Sequence, residues 1–114
     1  MPTSINNFTS EKQLTTAALA MVSSGASDVR FIGKATVTNT SILNVEVTVW
    51  RLLTATTPTT GSGANWIWKE TIPAGKTVRI DKIEGHVLGR SMSIFALAAT
   101  TLVINFDCSG MIET

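Results

Sequence analysis

The chain is expected to be all-β: an antiparallel β-sandwich or jelly-roll-like domain of seven to eight short strands, with an extended N-terminal arm. Three observations predict this. Val45, Val47 and Val49 alternate with Glu46, Thr48 and Trp50, the period of two that a strand with one dry face requires. The apolar runs are short and separated by turn chemistry such as Asn39-Thr-Ser41 and Pro73-Ala-Gly75. Eighteen of the 114 residues are threonine, a β-branched side chain that fits a pleated surface.

Along the chain the elements read as follows. Residues 1–12 show neither a helical nor a strand period, and Ile5 and Phe8 are their sizeable apolar side chains after Met1. They read as a loose tail or as an arm that docks on a partner. Gln13 to Val22 fits a helix face through Leu14, Ala17, Ala18 and Met21, but the Thr pair and the Ser-Ser-Gly-Ala-Ser that follows favour a strand leading into a turn. Val29 to Asn39 reads as a strand with Gly33 at a bulge or close approach. Ile42 to Leu53 is the clearest strand. Thr54 to Asn65 is a polar loop of a length that is often functional. Trp66 to Ile72 and Lys76 to Ile83 read as strands on either side of the Pro-Ala-Gly turn. Gly85 to Gly89 is a short connection, and Ser91 to Ala98 and Leu102 to Cys108 close the domain. No repeat and no shift in composition divides residues 13–114, so one core is expected.

Composition narrows function. Charged residues are only 15% of the chain, against roughly 25% in ordinary soluble domains. Such a surface is expected to be buried against other copies or partners. The formal charge of +1 is spread without a basic patch, so neither nucleic acid nor an anionic membrane is an expected partner. Leu14 to Val22 resembles the apolar part of a leader, but its flank carries one Lys and one Glu; no signal peptide and no membrane-spanning segment is expected.

No catalytic site is expected either. His86 is the sole histidine and Cys108 the sole cysteine; paired with Asp81 or Asp107 they match no nucleophile signature. One His and one Cys cannot build a zinc site, and no calcium loop, phosphate loop or cofactor motif is present. Asp81, Glu84 and Asp107 are spaced as solvated strand ends are. The tryptophans stand out instead. Trp66 and Trp68 flank Ile67 at period two, with Trp50 on a neighbouring strand. They read as core packing, as an oligomer or partner interface, or as a sugar-stacking platform served by Lys69, Glu70 and the Thr-rich loop.

Three stretches in order carry a resemblance. TVTNT at 36–40 followed by VEVTVWRL at 45–52, IPAGKTVRIDKI at 72–83, and GHVLGRSMSIFALAATTLVINFDCSG at 85–110 with Glu113 beyond resemble small virion proteins of tailed bacteriophages over roughly residues 30–113. Gly89-Arg90-Ser91 departs from the Gly-Asp often found at that point in such proteins. The resemblance implies a non-enzymatic structural part of a virion, assembled in the host cytoplasm: a capsid decoration (cement) protein binding the major capsid protein as a trimer or dimer, or a neck, tail or fibre-adaptor component. Ile5, Phe8, Trp66 and Trp68 are the interface residues expected under this reading, and a carbohydrate-binding module is the alternative of another class.

Overall fold

A computed structural model of the chain describes residues 3–60 and 63–113; within the first strand it describes the side chains of Phe8, Lys12 and Gln13. Among these residues there is no helix. Nine strands form: β1 (Thr3–Gln13), β2 (Leu19–Ser23), β3 (Val29–Asn39), β4 (Val45–Leu53), β5 (Trp68–Ile72), β6 (Thr77–Arg79), β7 (Val87–Leu88), β8 (Met92–Ala98) and β9 (Ile104–Glu113). Two antiparallel sheets pack face to face. One has the order β1-β9-β3-β6, with β7 also on β3; the other has the order β2-β8-β4-β5.

The pairing has a simple generating rule. β4 pairs with β5, β3 with β6 and β7, β2 with β8, and β1 with β9. The chain is therefore one long antiparallel hairpin whose tip is the loop between β4 and β5. Successive rungs of that hairpin fall alternately into the two sheets, and β3–β9 and β4–β8 pairing closes the roll. This is the jelly-roll solution to the problem of free sheet edges.

Alternation fills the space between the sheets. Val45, Val47 and Val49 from β4, Ile94, Ala96 and Ala98 from β8, and Ala35, Val37, Phe106 and Cys108 from the opposing sheet are buried in one cluster. Leu14, Ile72, Ile80, Ile83 and Leu88 close its ends.

Several boundaries differ from the sequence reading, each for a physical reason. Residues 3–13 lack apolar alternation yet form a strand, because an edge strand that borrows β9's free backbone groups needs no dry face of its own. The segment Gln13 to Val22, read as a strand, holds the last residue of β1, a loop at 14–18 and most of β2. β4 begins at Val45 rather than Ile42, since Asn39 captures the preceding residues in a turn. β5 begins at Trp68 rather than Trp66. The 76–83 strand shortens to Thr77–Arg79, and the last strand runs on to Glu113. Gly33 sits where the β3–β9 register shifts between Ile32 and Lys34.

β6 and β7 lie on the same side of β3 as one interrupted strand. The break is filled without orphaned groups: Ile80 N donates to Ala35 O at 2.9 Å, Gly85 N to Ile32 O at 2.6 Å, and Ile32 N to His86 O at 2.9 Å. Ala35 N, which would face nothing, donates instead to the Glu84 carboxylate at 3.0 Å.

β9 approaches β3 closely at Gly110. A Cβ placed there would stand 1.8 Å from the Phe31 carbonyl oxygen and 2.9 Å from Gly33 N. Both obstacles are backbone, so no side chain can turn away. Gly110→Ala is therefore expected to lower unfolding stability by about 3 kcal/mol, at the upper end of overpacking costs. A urea titration followed by far-UV circular dichroism checks this. A loss below about 0.5 kcal/mol, the range of neutral surface changes, would show that the strands separate freely.

Candidate functional site

The roll gives the body two ends of different chemistry. At one end lie the loops 14–18, 40–44, 73–76 and 99–103, in which Lys76 is the only charged residue. At the other lie the turns 24–28, 80–86 and 89–91, carrying Asp28, Asp81, Lys82, Glu84, His86 and Arg90.

The uncharged end is built around Asn39, the last residue of β3. Its side chain is fully buried. Its amide nitrogen donates to Leu43 O at 2.8 Å and to Ile72 O at 2.9 Å. Its carboxamide oxygen accepts from Ser41 N at 2.9 Å and from Ser41 Oγ at 2.7 Å. One side chain thus ties β3 in one sheet to β5 in the other and folds residues 40–44 into a rigid loop. What that loop presents is bare aliphatic surface: Ile42 is 92% and Leu43 70% exposed.

Beside it, Thr40 N donates to Val103 O at 2.9 Å, joining this loop to the 99–103 turn. There Leu102 is 56% exposed and holds φ at +61°. A left-handed non-glycine residue costs roughly 1–2 kcal/mol, and backbone strain of this kind collects at functional places. Leu102 N donates to Leu14 O at 2.9 Å, which helps to hold it there.

The three tryptophans separate. Trp68 points into the core and is 5% exposed. Trp50 is fully buried, but on the outer face of its sheet, opposite Phe95 across the β4–β8 pair. What covers that face is the loop following β4, whose Thr59 carbonyl accepts from Trp50 Nε1 at 3.2 Å. Asn65 braces the loop from within, accepting from Thr59 N at 2.9 Å and donating to Thr57 O at 3.3 Å. Burying roughly 200 Å² of indole contributes about 5 kcal/mol before entropy is counted, whereas the single hydrogen bond contributes about 1. The ring holds the loop; the bond sets its direction. The Thr-rich segment around Thr59 therefore covers Trp50.

Trp66 precedes β5 and remains 40% exposed. With Trp68, Lys69, Glu70, Asp81 and Lys82 it lines a cleft of about 330 Å³ between the edge of β5 and the turn after β6. Lys69 Nζ stands over the Trp66 ring, 5.7 Å from its centroid, and 3.7 Å from Glu46 Oε1.

Of the other residues read as interface, Phe8 packs against the chain's own core, with the Arg30 guanidinium 5.0 Å from its ring centroid. Ile5 pairs through its backbone with Met111, and its side chain lies outside the described residues. Ile42, Leu43 and Leu102 were missed as surface residues. The signal for the first two was available: two consecutive aliphatics directly after Asn-Thr-Ser turn chemistry.

Cys108 and His86 form no reactive pair. Cys108 is buried in β9 and desolvation pushes its thiol up to about 12, while His86 is exposed in the turn before β7. No three His, Cys, Asp or Glu side chains come together as a metal would require among the described residues. No protein-family model, no curated protein and no solved structure matches this chain.

Glu84 fixes the turn that carries Asp81 and Lys82. Its buried carboxylate receives Arg79 Nη2 at 2.5 Å and Nε at 2.9 Å. These bonds hold its pKa below the usual carboxylate range, the Ala35 N–H adds to the effect, and burial opposes it. A lowered folded pKa means that the ionised form stabilises the fold above the ordinary carboxylate value, and that this contribution is lost as pH falls through the lowered one. Glu84→Ala, which leaves Ala35 N–H unpaired, is expected to cost about 1–3 kcal/mol at neutral pH. Glu84→Gln can still accept from Ala35 and should cost less, while flattening the acid limb of the stability profile. Denaturant midpoints from pH 7 down to the acid transition measure both; an unchanged acid limb in Glu84→Gln would place the dependence elsewhere.

Proposed function

We propose that the chain is a non-enzymatic structural protein that docks onto a larger assembly by its uncharged end, and that the assembly is the shell of a tailed-phage virion, which it decorates. The observation that carries this reading is the rigid display of Ile42, Leu43 and Leu102 on two joined loops almost free of charge. A loop fixed by a buried amide and carrying exposed aliphatics is pre-organised for insertion into a partner, since little backbone entropy remains to be lost on binding. The resemblance of residues 30–113 to small virion proteins supports the identity of the assembly, and jelly rolls are a common architecture of viral shells.

Magnitudes favour a large partner over a second copy meeting end to end. Three aliphatic side chains at about 25 cal/mol per Å² and 1.5–3 kcal/mol each correspond to roughly 300 Å² of apolar surface, far below the roughly 800 Å² per partner of a stable two-body interface. Such a knob binds usefully in a concave seat, or in many copies on an array where multivalency adds weak contacts. Any dimer or trimer of the chain itself would then use other surfaces.

In a lysate of the native host, the chain is expected to sediment with fast-moving particles in many copies per particle. Ile42→Asp combined with Leu43→Asp should leave the thermal midpoint nearly unchanged, because neither side chain is buried, with a stability change within about 0.5 kcal/mol. The same double variant should move to the slow fraction. Wild-type protein that remains in the slow fraction would overturn the reading, as would a double variant that sediments like wild type.

A further inference from the structure

We infer that the cleft at Trp66 is a binding site for a neutral saccharide. It lies at the charged end, away from Ile42 and Leu43, and the inference stands apart from the docking reading above.

The first support is the ring. Trp50 and Trp68 are buried, yet Trp66 is left 40% exposed at the mouth of a cleft of about 330 Å³. Its place is fixed on both sides. Ile67 N donates to Val49 O at 2.9 Å, which continues the β4–β5 ladder by one residue, and Lys69 covers one ring face. Lys69 is itself held by Glu46. The exposed part of the ring is a flat apolar surface of the kind on which the C–H face of a pyranose ring stacks.

The second support is the wall. The side chains of Glu70, Asp81 and Lys82 make no hydrogen bond or salt bridge among the described residues, although Asp81 feels the charge of Arg79. They offer donors and acceptors at the rim, on a turn held rigid by Glu84. Lys69 and Lys82 against Glu70 and Asp81 give the lining no net charge. A phosphate, a sulfated polymer or a polycation would meet one repelling pair for every attracting one. A purely apolar ligand would desolvate four charged groups without pairing them. A sugar has one face of C–H groups for the indole and a rim of hydroxyls that both donate and accept. Of these ligand classes it alone uses every group in the cleft. The cleft is open and offers one ring to stack on, so an affinity of about a millimolar is expected, a binding free energy near −4 kcal/mol.

The test is a titration of the whole chain with glucose, galactose, mannose and N-acetylglucosamine oligomers, followed by the Trp66 indole N–H resonance and by tryptophan emission. One of these sugars should shift the Trp66 indole and the backbone amides of Asp81 and Lys82, with the Trp50 indole, which lies outside the cleft, unmoved. Trp66→Ala should abolish the amide shifts, Trp66→Phe should weaken binding about tenfold, and Asp81→Asn should weaken it less. All three should keep the wild-type thermal midpoint. Silence across the panel to tens of millimolar would overturn the inference, and so would shifts that persist in Trp66→Ala. Binding of heparin with a steep salt dependence would overturn it too, because the lysines would then be acting as an anion site. Loss of particle docking in Ile42→Asp with sugar shifts intact would separate the two readings.

Discussion

The pairing of β3 with β9 is what turns a ribbon into a closed body. β9 runs between β1 and β3 and matches β3 over its whole length, from Val29 opposite Glu113 to Asn39 opposite Ile104. Without it, the first and last strands of the hairpin would form one sheet edge and the inner rungs another, each with a row of unpaired backbone groups. Closing the roll brings the two apolar faces together and makes a two-layer core possible for a chain this short. The price is steric: two main chains meet so closely at Gly110 and Gly33 that no Cβ fits at Gly110, and the register must slip there.

From this closure the division of the surface follows. Every rung of the roll turns at one of two ends, so the loops gather at two poles, except that the loop after β4 folds back over Trp50. The interior is apolar, the loop after β4 covers Trp50 on the outer face of its sheet, and both candidate surfaces stand at turns. One pole holds buried Asn39 and its aliphatic loop; the other holds Glu84, Arg79 and the cleft beside Trp66. In both, a buried polar side chain makes several bonds to backbone or to a charged partner and so stiffens what stands outside it.

How much of this was legible in the residues depended on whether local pattern or distant contact decided each element. Val45, Val47 and Val49 are buried as their alternation demands, and the Pro-Ala-Gly turn and the Gly33 bulge lie where those residues put them. The all-β sandwich followed from such local signals. Residues 3–13 were illegible because their strand is made by β9, about a hundred residues away in sequence. The start of β4 was misplaced because Ile42 and Leu43 extend the apolar run, while a side chain three positions earlier removes them from the strand. The tryptophans at period two invited a shared face, yet Trp66 lies before the strand begins and so escapes its alternation. Spacing alone could not show that the long polar loop serves to bury Trp50 or that Asp81 and Lys82 lie across from Trp66.

The central place of β9 also governs when the molecule can form. Of the nine strands it leaves the ribosome last, yet it lies between β1 and β3, so its sheet has no middle until synthesis of Ile104–Glu113 is finished. The β4–β5 hairpin can form early, from neighbours in sequence, while β1 and β3 wait with open edges and nothing local to pair with. Loop closure over nearly the whole chain makes such folding slow, and waiting edges are sticky. A chain with little charge to keep its nascent copies apart thus depends on the speed with which its last strand arrives.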